Sequence, residues 1–259
     1  MPLETRVLGQ SGIEISCLGL GTVKFGRNQE VRYPHGFALP TDREVVELLD
    51  LSHSLGITLL DTAPAYGSSE QRIGRLLQCR QDWVICTKVG EEFLNGKSFF
   101  DFSADHVRYS IERSLRDLNT DYLDIVLIHS DGNDLHVLES TDCLETLMAL
   151  KQQGVIRAVG MSSKSVKGGR MAVESTDAVM VTYNPSCTDD SLVIDYAAEL
   201  NKGVLVKKVF NSGHDCVDAK TNAANNLGFA LGYKGVSSVI VGTINSAHLE
   251  SNAAAVEKL

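Results

Sequence analysis

Several absences narrow the field before any motif is considered. No apolar run approaches the ~20 residues of a membrane span. The opening Met1-Pro-Leu-Glu-Thr-Arg6 has no apolar core of the kind that leads a secreted chain. A soluble cytoplasmic protein with no membrane partner is therefore expected. Six cysteines, at 17, 79, 86, 143, 187 and 216, include no CxxC pair, so neither a disulfide framework nor a zinc site is expected, and no metal enters the reading. Cys86 lies inside an apolar run and reads as a small core residue. A formal net charge of −9 argues against nucleic acid as a partner. The glycine fingerprint of a doubly wound dinucleotide fold is also missing. "LGLGTVKFG" has Gly19 and Gly21, but Lys24 where the third glycine of G-x-G-x-x-G belongs.

What is present is a regular alternation. Short apolar runs recur at Ile15–Thr22, Ile57–Ala63, Trp83–Val89, Tyr122–His129, Ala158–Ser163, Ala178–Asn184, Gly203–Val209 and Ser237–Thr243. Runs this short and rich in Val and Ile read as strands buried on both faces. Amphipathic stretches separate them. Asp42–Leu55 follows Thr41 as an N-cap, Ser103–Leu118 opens on Ser-x-x-His, and Asp142–Gln153 stops at Gly154. Weaker helical patterns cover Glu70–Leu77, Lys164–Val173, Leu192–Leu200, Thr221–Leu231 and Ala247–Val256. Gly168-Gly169 is expected to shorten or break the second of these.

Eight strand–helix alternations in 259 residues point to one domain, residues 1–259, built as a (β/α)8 TIM barrel. A doubly wound open sheet is the runner-up. Ahead of the first barrel strand, Arg6–Ile15 reads as a β-hairpin around Gly9–Gly12, placed to plug the bottom of the barrel.

Barrel active sites lie at the C-terminal ends of the strands. Asp61, Lys88 and His129 fall near the ends of the second, third and fourth runs, and Tyr66 lies in the turn after the second. Singly, each has a structural explanation: a cap, a packed loop aromatic, a surface lysine, a core histidine. Together they place four chemically capable groups on one rim. A phenol titrates near pH ~10, but a neighbouring cation favours phenolate. Lys88 supplies that cation, and Asp61 holds it protonated. Tyr66 then serves as a general acid toward a carbonyl oxygen, with His129 orienting that oxygen. This set holds no nucleophile, so a bound hydride donor is implied.

These residues carry a resemblance. "GITLLDTAPAYGSSEQRIG" resembles the aldo-keto reductase signature, with Asp61, Tyr66, Gly67 and Glu70 in place. "VICTKVG" resembles the family's lysine strand and "YLDIVLIH" its histidine strand, while "GVIRAVGMSS" and "GVSSVIVGTINSAHLESN" resemble later cofactor segments. The likeness runs over nearly the whole chain. It implies that Tyr66 is the general acid/base, with Lys88 and Asp61 tuning it and His129 orienting a small-molecule carbonyl substrate. It implies NADPH, or alternatively NADH, extended along the rim. The implied contacts are Gly21, Thr22, Asp61, Ser162, Ser163, Lys207, Asn211, Ser212, Gly213, Gly242, Thr243, His248 and Asn252. A monomer or weak homo-oligomer is expected.

The chain departs from the family in three places. Ser162-Ser163 stands where a Ser-Asn pair is usual, and Met180 where a Gln holds the nicotinamide carboxamide. The last helix offers His248 and Glu250 but no arginine for a 2′-phosphate, so only a slight preference for NADPH is expected, with Glu250 opposing it. The chain ends soon after that helix, which suggests an open cleft walled by Arg27–Leu39 and Glu91–Phe102. Two other functions stay open: a Schiff-base lyase using Lys88, and a non-catalytic nucleotide-sensing or partner-binding protein.

Overall fold

A computed structural model describes residues 3–216 and 223–259. The first two residues of the expected helix Thr221–Leu231 lie outside the described residues, and the helix runs over Ala223–Leu231. The eight apolar runs form eight parallel strands: β1 (Leu18–Gly21), β2 (Leu59–Asp61), β3 (Val84–Val89), β4 (Leu123–His129), β5 (Ile156–Ser162), β6 (Ala178–Thr182), β7 (Gly203–Lys207) and β8 (Ser238–Val241). Each pairs with its neighbours in chain order, and β8 returns to β1. The sheet is thus a closed TIM barrel, and the open doubly wound sheet is excluded.

Alternation along the strands divides the core in two. One side chain set packs outward against the helices, among them Leu18, Leu60, Ile85, Val126 and Val159. The other fills the barrel with Leu59, Cys86, Ile125, Leu127, Ala158, Met180, Leu205 and Ile240. Cys86 is thus the small core residue its surroundings suggest. Leu8, Ile13 and Ile15 of the N-terminal hairpin belong to the same inner cluster. That hairpin pairs Thr5–Val7 with Glu14–Ser16 and closes the barrel from below. Its turn needs glycine at position 9, where φ is +53° and a Cβ would lie 2.5 Å from the Gly203 amide nitrogen. Arg6 ties the hairpin to the entry of β8 by donating to the Val236 carbonyl at 2.8 Å.

The helix starts follow their capping signals. Thr41 and Glu44 form a reciprocal capping box at Asp42–Ser54. Ser103 accepts from the His106 amide at the head of Ala104–Asp117. The helix at Val166–Ser175 is continuous, against expectation. Gly168 and Gly169 are packing residues there: a Cβ on Gly168 would strike Asp134, and one on Gly169 would come 2.9 Å from Val193. Elements that went unread in the sequence include the short helices Val23–Gly26 and Asp134–Ser140 and an antiparallel hairpin of Glu91–Leu94 with Lys97–Phe100. Among the described residues, no helix is long and apolar enough to cross a membrane.

Leu8→Ala should empty the floor of the barrel and lower stability by about 2–5 kcal/mol. Urea unfolding measures it. A loss under ~1 kcal/mol would show that the hairpin merely rests against the barrel.

Candidate active site

At the C-terminal rim the strands surround a cleft of about 1700 Å³. Asp61, Tyr66, Lys88 and His129 all line it. Strand register sets their order: Asp61 stands beside Cys86 and His129 beside Ser162, while Lys88 pairs with Leu127. Tyr66 ends a single 3-10 turn that Pro64 opens. The turn presses on the first helical turn, Val23–Gly26, through glycines on both sides: a Cβ on Gly26 would lie 2.4 Å from the Tyr66 carbonyl, and one on Gly67 2.3 Å from the Gly26 carbonyl.

Lys88 is fully buried and donates to Asp61 Oδ1 at 2.6 Å and to the Thr62 carbonyl at 2.7 Å. Burial opposes its charge, but the Asp61 carboxylate outweighs burial and holds the amine protonated well above the usual lysine range. An amine held this way is a poor Schiff-base former, which tells against the lyase reading. Its Nζ lies 4.8 Å from the centre of the Tyr66 ring. The balance at Tyr66 is the reverse of the sequence expectation. Burial raises the phenol above its ordinary value, and Lys88 recovers only part of the shift. Tyr66 is therefore a neutral phenol with a proton to give.

The ring of His129 stands edge-on to Tyr66, 6.3 Å between centres. Its Nδ1 lies 3.0 Å from Glu91 Oε2. Glu91 also accepts from Ser98 Oγ at 2.6 Å and lies 3.7 Å from Arg27. Arg27 in turn donates to the Ala65 carbonyl in the tyrosine turn, at 3.1 Å, and stacks on Phe93. Sequence reasoning missed Glu91 and Arg27, treating the segment after β3 as an aromatic wall. The available signal was Asn95-Gly96, a hairpin turn that makes residues 91 and 92 face opposite sides.

The residues expected to contact a cofactor divide. Gly21, Ser162, Ser163, Lys207, Ser212, Gly213, Gly242, Thr243, His248 and Asn252 line the cleft with Asp61. Thr22 and Asn211 are not among the lining residues. Thr22 is fully buried and donates its hydroxyl to the Asp61 carbonyl at 2.9 Å, bracing β2 from behind. Asn211 opens the turn after β7 without facing the cleft. Glu250, expected beside the adenosine ribose, lies in a separate depression with Ser54 and Leu55. The helix Ser246–Val256 presents His248 and Asn252 to the cleft instead.

Lys207 points into the cleft and donates to Ser162 Oγ at 2.7 Å and to the Ser163 carbonyl at 3.0 Å. Burial, with Lys208 and Lys88 nearby, pulls it down to about 7. Met180 sits beside Ser162 in register and forms apolar floor where an amide was expected. Arg32, Tyr33, His35 and Phe37 line the mouth as expected. Tyr33 reaches the far side, where a Cβ on Gly242 would lie 3.0 Å from its hydroxyl.

Residues 17–214 match the model of the Aldo/keto reductase family. The chain belongs to the aldo/keto reductase family. A Pseudomonas aeruginosa protein assigned to the aldo-keto reductases has a solved structure 47% identical to this chain, covering 98% of it and 94% of that chain, with a TM-score of 0.89. The L-galactose dehydrogenase of Arabidopsis thaliana is 27% identical over 99% of this chain and 89% of its own. The D-arabinose 1-dehydrogenase of Saccharomyces cerevisiae is 31% identical, but the match spans 67% of this chain and 55% of that enzyme. Aldo-keto reductases are oxidoreductases that interconvert carbonyls and alcohols with a nicotinamide cofactor, and this chain is one of them.

Lys88→Met should leave Asp61 buried without its partner and cost about 3–5 kcal/mol. Adding Asp61→Asn should restore part of that loss, read by urea unfolding of both variants. A single variant as stable as the parent would mean that the pair does not hold the rim.

Proposed function

We propose that the protein reduces aldehydes or ketones, and oxidises the corresponding alcohols, with NADPH or NADH and with Tyr66 as the general acid/base. The observation that carries this reading is the Lys88–Asp61 pair beneath a neutral, half-buried phenol. A buried pair aimed at a tyrosine has little structural purpose, since apolar residues of similar size would stabilise the rim as well or better.

The residues present suit a nicotinamide cofactor. The Ser163 hydroxyl, at the cleft edge, is buried without a hydrogen-bond partner. It is a ready donor for the carboxamide that the absent Asn and Gln would otherwise hold, and Ser162 and Lys207 are its neighbours. The backbone at Ser212, Gly213 and Gly242 suits a pyrophosphate. His248 and Asn252 suit the adenosine end.

When bound, the cofactor supplies or accepts the hydride at the substrate carbon. Tyr66 donates its proton to the carbonyl oxygen as negative charge grows there, and Lys88 stabilises the phenolate left behind. In oxidation the same phenolate removes the hydroxyl proton. His129 holds the substrate oxygen against Tyr66. Met180 and Ile240 give the cleft an apolar floor. Similarity to the two sugar dehydrogenases named above favours a polyhydroxylated aldehyde or hemiacetal as substrate.

Tyr66→Phe keeps the ring and removes the proton. It should cut aldehyde reduction by roughly 10²–10⁴-fold and leave nucleotide binding, followed by fluorescence, within a few-fold of the parent. Parental turnover in this variant would sink the assignment.

Nucleotide preference should be weak, with NADPH slightly ahead. Because Glu250 faces away, Glu250→Arg should leave the ratio of NADPH to NADH dissociation constants unchanged. His248→Arg should shift that ratio toward NADPH, since a guanidinium forks onto a 2′-phosphate and gains nothing from a ribose hydroxyl. Titration of both variants at one ionic strength checks this. An unmoved ratio in His248→Arg would place the phosphate elsewhere.

A further inference from the structure

Glu91 is built into the site with more care than a loop carboxylate needs. It opens the antiparallel hairpin Glu91–Leu94/Lys97–Phe100, whose register pairs Glu91 with Phe100 and Leu94 with Lys97 across the turn Asn95-Gly96. Alternation sends the next residue, Glu92, to the opposite side, where it meets Arg113 and His106. Glu91 itself turns inward to His129, Ser98 and Arg27. Burial opposes its charge, yet His129, Ser98 and Arg27 together hold the carboxyl down at about 2. It is a carboxylate at any working pH, and a carboxylate only accepts hydrogen bonds.

That fact decides which nitrogen of His129 carries the proton. Nδ1 lies 3.0 Å from Glu91 Oε2 and is sealed from solvent. The contact is short but bent, and no other group among the described residues offers Nδ1 a partner. A bare Nδ1 lone pair against a carboxylate would be repulsive, so the proton sits there. In a neutral imidazole the other nitrogen, Nε2, is then unprotonated. The two nitrogens lie on different edges of the ring, so an Nδ1 turned to Glu91 leaves Nε2 for the cleft that His129 lines.

We propose that Glu91 is a positioning residue that fixes the proton of His129 on Nδ1. Nε2 is thereby presented to the cleft as an acceptor that receives an alcohol hydroxyl, and it donates to a carbonyl oxygen only when His129 is the imidazolium. The substrate half of this inference rests on the carbonyl–alcohol reading of the cleft; the tautomer half does not. The groups that bear on His129 come from five elements: Lys88 on β3 with Asp61 behind it on β2, Lys207 on β7, Glu91 on the hairpin, and Tyr66 on its turn. Burial lowers the histidine, and Lys88 and Lys207 add to that, while Glu91 opposes. Neutral His129 therefore dominates at and above neutral pH, and the resting enzyme is set to receive an alcohol. Acid converts it to the form that grips a carbonyl.

The test begins without substrate or cofactor. Long-range proton–nitrogen spectra of protein labelled at its seven histidines, with His129→Asn to assign the signal, read the tautomer directly. The expected result is a single neutral tautomer protonated on Nδ1, which gives way to Nε2–H in Glu91→Leu. An Nε2–H signal in the parent, or an unchanged tautomer in Glu91→Leu, would overturn the proposal. Glu91→Gln guards against misfolding of the leucine variant. It keeps an acceptor but loses the charge, so the tautomer should persist while the titration midpoint of His129 moves to lower pH. A midpoint that stays put would also overturn it.

The second arm is kinetic. The KM for an aldehyde should rise as pH passes the midpoint seen in the spectra, and the KM for the alcohol should not. In Glu91→Gln the aldehyde limb should move to lower pH with the midpoint. An aldehyde KM blind to this titration overturns the substrate half. Loss of all turnover in the parent with either nucleotide would instead remove the carbonyl–alcohol reading and the substrate half with it, while the spectra decide the tautomer.

Discussion

The rim depends on one buried ion pair. Lys88 and Asp61 meet at 2.6 Å with almost no solvent contact. Taking two charges out of water costs more than their attraction returns unless further hydrogen bonds complete them. The structure around them supplies those bonds. The Thr62 carbonyl takes a second proton of the amine. Thr22 donates to the Asp61 carbonyl, and Thr62 to Ser69 Oγ, so the backbone of β2 is pinned by hydroxyls on its far side. The turn that carries Tyr66 is locked to the helix Val23–Gly26 by a glycine on each surface. An element that could shift by an ångström would leave the pair unmatched, which is why this part of the chain admits so little freedom.

A second charge sits opposite the first and is handled differently. Glu91 hangs on a two-stranded hairpin rather than on a barrel strand. Its charge is shared among a histidine, a hydroxyl and a guanidinium. The same Arg27 reaches the Ala65 carbonyl inside the tyrosine turn. The hairpin and the turn are therefore coupled through one side chain, and His129 and Tyr66 keep their spacing although one ends β4 and the other lies in the turn after β2.

Much of this was legible in the sequence because the signals were local. Each barrel strand announced itself as a short Val- and Ile-rich run, and the capping residues Thr41 and Ser103 marked where helices begin. Asp61, Lys88 and His129 could be placed on one rim because strand ends in a barrel share one face. What escaped depended on contacts between distant segments. Gly168 and Gly169 read as helix breakers because the neighbours that require them, Asp134 and Val193, are remote in the chain. Glu250 and His248 differ by two positions on a helix and so face different ways, which a motif alignment without a rotation angle cannot resolve. The expected depression of the Tyr66 phenol assumed that proximity to a cation decides the balance. Burial proved the larger effect, and only a structure shows how deep the ring sits. The Glu91 hairpin is a different matter. Asn95-Gly96 is a strong local turn signal, and the aromatic residues around it drew attention from it.

Among the ionisable groups of the cleft, burial opposes every charge, and the outcome depends on how far neighbouring groups offset it. Lys88 has Asp61 and stays protonated. Glu91 has Arg27 and His129 and stays ionised. Among the described residues, Lys207 hydrogen-bonds to a serine hydroxyl and a backbone carbonyl, acceptors that satisfy its protons without neutralising it. Burial and the neighbouring lysines therefore bring it to about 7, where the others are fixed. Near neutrality Lys207 is thus the labile charge of this set, while His129, lowered by burial despite Glu91, gains its charge on the acid side. Both are cationic when protonated, and both line the cleft. Acidification therefore changes the field there in two steps, Lys207 first and His129 after it, while the pair beneath Tyr66 remains as it was. The fixed pair keeps the Tyr66 phenol in place, and the two labile groups adjust the electrostatic field around it.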